Sequence, residues 1–154
     1  MVSKHFKRGH LNHTQQLDLI KEICQSILSR APQGWKKVIY RSDAVIDHSS
    51  SKFQVHDAYE KNIAGWGPNT IGPLLDNLRA GMYREGEGTW FSIKFTIIRP
   101  GNFHVEYNYD EDPHILFPTA WGYTNDLKYF PRDDEHIPDW LQQKLSEEPR
   151  MQSE

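Results

Sequence analysis

Two runs of alternating apolar residues flanking Pro100-Gly101-Asn102 restrict the fold of this chain more than any other feature. The first places Phe91, Ile93, Phe95 and Ile97 on one face, and the second places Phe103, Val105, Tyr107 and Tyr109 on one face. Period-two alternation marks half-buried strands, and the Pro-Gly-Asn between them marks a turn. Thr89–Asp110 is therefore expected to form a β-hairpin. A two-residue turn at Pro100-Gly101 would set Ile97 opposite His104 and Phe95 opposite Glu106, mixing core with charge. A three-residue loop, Pro100-Gly101-Asn102, sets Ile97 opposite Val105 and Phe95 opposite Tyr107. A one-residue slip turns every side chain to the other face, so the three-residue loop is expected. The reverse face then carries Ser92, Lys94 and Thr96 beside His104, Glu106, Asn108 and Asp110. It is polar and faces water.

The remaining elements follow from the same periodicities. Leu17, Ile20, Ile23, Cys24, Ile27 and Leu28 make one helical stripe, giving a helix over Thr14–Arg30 that Ala31-Pro32-Gln33-Gly34 stops. Residues 1–12 read as a polar tail and 13–154 as a single domain. A strand is expected over Trp35–Asp47, with Val38, Tyr40, Ala44 and Ile46 on one side. Asp47-His48-Ser49-Ser50-Ser51 reads as a turn, and Lys52–Tyr59 as a second strand with Phe53, Val55 and Tyr59 on one face. Residues 61–68 read as a loop, followed by a helix over Ile71–Arg84. Beyond Asp110 the chain looks irregular until a last helix, Pro138–Ser146, which buries Trp140, Leu141 and Leu145. This order implies an α+β domain, an antiparallel β-sheet with helices packed on one face.

Composition bounds the class of protein. The chain has 154 residues, enough for one domain with a core of its own. Apolar residues make up 37% and aromatics 12%, so the core should rest on Trp, Tyr and Phe. No apolar run approaches the roughly 18 residues of a membrane span. The basic opening segment lacks the hydrophobic stretch of a secretory signal, and a cytoplasmic location is expected. Cys24 is the single cysteine and lies on the first helix's apolar stripe, as a small hydrophobe would.

Candidate chemistry is sparse. Eight histidines occur, yet no His-x-x-x-His pair with a carboxylate falls on an expected helix, so neither a metal site nor a cofactor is expected. His104 and Glu106 project from one strand face and could form an acid-base pair, although a polar face with a Lys94 ion pair is the plainer account. There is no phosphate-binding loop and no Gly-x-Ser-x-Gly elbow. Basic residues do not interleave with aromatics outside the tail, which argues against direct nucleic-acid binding.

Charge is unevenly divided. Glu106–Glu154 holds twelve Asp/Glu and four Lys/Arg, whereas residues 1–105 hold nine and fourteen. A one-signed surface steers association with an oppositely charged partner. The acids cluster as Asp110-Glu111-Asp112 and Asp133-Asp134-Glu135. Carboxylates ahead of the last helix complement its dipole, but three in a row exceed what capping requires.

The stretch Trp90-Phe91-Ser92-Ile93-Lys94-Phe95, with Tyr107-Asn108-Tyr109-Asp110 after the turn, resembles the signature hairpin of YezG-like bacterial immunity proteins. Leu127 to Leu141 is similar to the C-terminal element of related immunity proteins found beside polymorphic toxins. The resemblance implies a cytoplasmic antitoxin without catalytic residues that binds a cognate toxin protein, commonly a nuclease, with no nucleic-acid or membrane partner. On that basis Asp110, Glu111, Asp112, Asp133, Asp134 and Glu135 are expected to supply charge complementarity. Trp66, Trp121 and Tyr123 are expected to be exposed aromatic anchors. The alternative is a small hydrolase or nuclease using His104 and Glu106.

Overall fold

In the computed structural model, which describes residues 7–63, 67–68, 70–116 and 118–151, Asn12 opens helix α1 (His13–Leu28). Its Oδ1 accepts from the Gln15 N–H at 2.8 Å while Gln15 Oε1 accepts from the Asn12 N–H at 2.9 Å, a reciprocal capping box. Strands β1 (Lys37–Val45), β2 (His48–His56) and β3 (Asn62–Ile63) follow, then helix α2 (Gly72–Gly81). Strands β4 (Ser92–Ile98) and β5 (Asn102–Asn108) form the expected hairpin. Helix α3 (Gly122–Tyr129), a one-turn 3-10 helix (Asp134–His136) and helix α4 (Asp139–Met151) complete the described chain. Among the described residues five strands make one antiparallel sheet in the order β3-β2-β1-β4-β5. The fold is α+β and forms one domain.

Register decides which side chains meet. Val38 pairs with Val55 and Tyr40 with Phe53 on one side, and with Ile97 and Phe95 on the other. That face joins Ile20, Ile23, Cys24 and Ile27 of α1 and Leu75 and Leu78 of α2 in the main core. The reverse face carries Arg41, Lys52, Gln54, Lys94, Thr96, His104 and Glu106. A second cluster, Val45, Phe91, Ile115, Tyr123 and Leu141, seats α3 and α4 against the end of β1 and the residue before β4.

The β4–β5 loop departs by two residues from the expected register. Ile97 faces Phe103, Phe95 faces Val105 and Ile93 faces Tyr107, so the three-residue loop is Arg99-Pro100-Gly101 and Asn102 already belongs to β5. The Gly101 N–H closes onto the Ile98 carbonyl at 2.9 Å, and the Arg99 N–H is held by the Lys36 carbonyl at 3.0 Å. A two-residue shift preserves parity, so both apolar sets still share one face. The β1–β2 turn is also tighter than expected. Val45 pairs with His48, while Ser49, Ser50 and Ser51 pair with Ala44, Asp43 and Ser42. Tyr59, expected to end the second strand on one face with Phe53 and Val55, lies beyond β2 and is 84% exposed.

The segment before α1 is docked rather than free. The N–H groups of Gly9 and Leu11 donate to the carbonyls of Ala80 and Gly81 at the end of α2, and Arg8 donates to the Tyr129 carbonyl at 2.9 Å. No helix of the described residues is long and apolar enough to cross a membrane.

Candidate functional site

Arg132 draws both acidic segments to one place. It follows Phe130-Pro131 at the exit of α3, and its guanidinium turns inward across the Phe91 ring, 4.8 Å from the centroid. Its side chain is 1% exposed. Nη2 donates to the Thr89 and Tyr109 carbonyls at 2.9 and 2.8 Å, and Nη1 donates to the His136 carbonyl at 3.0 Å. One cation thus ties the entry of β4, the exit of β5 and the 3-10 turn together. Burial pushes this guanidinium below its ordinary pKa, while Asp110 and Asp126 counter that shift.

Around this staple the carboxylates stand outward. The Asp110 side chain is 79% exposed, 3.8 Å from Arg132 Nη1, and the Asp110 carbonyl accepts from Trp140 Nε1 at 2.7 Å. Glu111, Asp133, Asp134 and Glu135 are exposed. The Asp133 N–H donates to the Gly86 carbonyl at 2.7 Å, and Glu87 forms an isolated β-bridge with Arg132. Glu85 and Glu87, exposed in the loop after α2, therefore extend the same surface. Gly86 has φ +79°, a left-handed conformation that favours glycine, and lies against the Asp133 carboxylate. Asp133 makes no side-chain capping bond, so its charge is not consumed by the 3-10 turn.

Several expected members are elsewhere. Asp112 is half-buried and works within its own turn, where Oδ1 accepts from the His114 N–H at 2.9 Å. Tyr123 is 4% exposed, so it is not a surface anchor. It packs edge-on to Phe91 and Trp140 at 5.9 and 5.7 Å, and burial, then Asp112 and Glu148, raise its hydroxyl pKa. Trp121 is half-buried at the start of α3. Trp66 lies outside the described residues. Two acids counted in the C-terminal charge are structural. Asp126 binds Arg79 through both oxygens at 2.6 and 2.9 Å, and Glu148 accepts from the Tyr123 and Thr124 N–H groups.

His104 and Glu106 do not form a pair. His104 faces Thr96, and Glu106 faces Lys94, whose Nζ lies 3.9 Å from its carboxylate on the open sheet face. Three cavities, of about 300, 190 and 270 Å³, are lined by neither residue. Among the described residues no group of three or more His, Cys, Asp or Glu side chains converges as metal ligands would. No protein-family model matches this chain, and no curated protein matches it.

Sequence reasoning missed Arg132, Glu85 and Glu87. A lone arginine entering an acidic run after Phe-Pro was the available signal for the first. Nothing local links 85–87 to 133, because that proximity comes from the bridge between Glu87 and Arg132.

Proposed function

We propose that this protein is an immunity-type inhibitor whose acidic surface around Arg132 binds a basic protein partner, a cognate bacterial toxin of nuclease type. The observation that supports it most is the meeting of exposed Asp110, Glu111, Asp133, Asp134 and Glu135, from separate segments, over a buried arginine. Holding like charges together costs stability, and a cationic cleft that accepts nucleic-acid phosphates would relieve that cost. The hairpin's likeness to the YezG-like immunity proteins points the same way. Asp112 and Tyr123 are left out of the contact surface, since one serves its own turn and the other is buried.

Co-expression with the product of the adjacent open reading frame tests this. Rescue of growth and a one-to-one complex that weakens with salt are expected. Reversing Asp110, Glu111, Asp133 and Asp134 to Lys should slow association by about tenfold to a hundredfold at low salt. A nontoxic neighbour with no complex, or binding indifferent to the reversal, would overturn the assignment.

A further inference from the structure

The sheet face left open by the helices carries three cations in one straight register row. Arg41 of β1 lies directly opposite Lys52 of β2 and directly opposite Lys94 of β4. Alternation puts all three side chains on the same side, and adjacent strands lie about 4.8 Å apart. Like charges directly opposite each other on a sheet are destabilising. The row therefore carries a cost that a bound anion would offset. Compensation from within the protein is incomplete: Arg41 meets Asp43 and Lys94 meets Glu106, which leaves Lys52. The Lys94–Glu106 contact is 3.9 Å long and exposed, and Lys52 makes no ion pair among the described residues. Asp43 is 6% exposed and is already shared between Ser92 Oγ at 2.6 Å and Arg41 Nε at 3.0 Å. Arg41 is thereby oriented: Nε donates to Asp43 and Nη2 to Ser92 Oγ at 3.4 Å, and Nη1 donates to no group among the described residues.

The row frames a concavity. Arg41, Lys52 and Lys94, with Gln54 beside them and Ile39 as floor, enclose about 190 Å³. A second hollow of about 270 Å³ shares Arg41 and Lys52 and continues to Ser50, Pro113 and Leu116. We propose that this face binds a phosphate monoester, its phosphate among Arg41, Lys52 and Lys94 and its organic part along Pro113 and Leu116. A phosphate monoester presents nearly two negative charges and three acceptor oxygens, matching three cations on adjacent strands better than a carboxylate does. A nucleic-acid strand fits less well. The residues in register with this row include no aromatic side chain on which bases could stack, and Glu106 closes one end of the row.

The test is a heteronuclear NMR titration of the whole chain with inorganic phosphate and with phenyl phosphate, beside thermal unfolding in each. Saturable shifts at Arg41, Lys52 and Lys94 are expected, with phenyl phosphate the tighter ligand. Lys52→Glu should weaken binding by at least about tenfold, and Glu106→Gln should strengthen it. Lys52→Gln should raise Tm in phosphate-free buffer and abolish the further rise that phosphate produces. Shifts spread over other surfaces, unchanged affinity in Lys52→Glu, or a phosphate-insensitive Tm would overturn the proposal. So would binding of oligothymidylate that phosphate does not displace.

Discussion

Arg79 and Arg132 are both buried, and the cost of each is met differently. Arg79 has a carboxylate partner, Asp126, in a two-bond pair with 4% and 1% side-chain exposure. Arg132 is instead satisfied by three backbone carbonyls, so its charge radiates toward the acids above it. Removing one member of a buried pair leaves an uncompensated charge. Asp126→Ala should therefore cost about 3–5 kcal/mol in urea unfolding, against less than about 1 kcal/mol for Lys94→Ala, whose partner is exposed. Cys24 makes a second residue-scale prediction. Burial pushes its thiol up to about 11, leaving roughly one thiolate in a thousand near pH 8. Iodoacetamide should leave the native protein unlabelled and modify it promptly in concentrated guanidinium chloride. Cys24 was legible as a core residue from helical spacing alone, whereas Asp126 carried no sequence mark of the partner it finds 47 residues away.

At the scale of elements, α3 shows what local sequence could not supply. Its eight residues hold few apolar side chains, and Trp121 at its N-cap provides no side-chain capping bond. The cap arrives from α4, where Glu148 accepts the Tyr123 and Thr124 N–H groups and the Thr124 hydroxyl at 2.7–2.9 Å. Glu148→Ala leaves these buried donors unpaired and should destabilise the protein by about 2–3 kcal/mol, read by chemical denaturation. The hairpin behaved differently. Its faces were legible because parity depends only on alternation, but the exact loop was not, because two registers two residues apart bury the same sets. Three serines read as a turn for a similar reason. Nothing in Ser49-Ser50-Ser51 favours a strand except the partner strand itself.

For the whole molecule, charge is separated: carboxylates gather over Arg132 while Arg41, Lys52 and Lys94 share the open sheet face. Neutralising Asp133, Asp134 and Glu135 together should raise stability by a few tenths of a kcal/mol at low salt, an effect lost near 1 M salt. The aromatic core sets an alkaline limit. Burial raises Tyr40, Tyr107, Tyr109 and Tyr123 above the ordinary tyrosine value, Tyr107 to about 12. These rings stay neutral in the fold where the unfolded chain would ionise them. Their contribution is complete below about pH 10 and is lost as the pH rises through about 12, which ultraviolet titration beside unfolding at each pH checks. Alternation and helical spacing alone determined the β4–β5 hairpin faces, the first helix, most of the core-facing residues (Leu17 and Tyr59 are exposed) and the α+β class, because each is a local periodicity read against one buried side. Only the tertiary structure decided the loop register, the third helix, the docking of residues 8–12 and the joining of the acidic segments. Each of those depends on a partner distant in sequence, and the free energy that selects it exists only when both sides are in place.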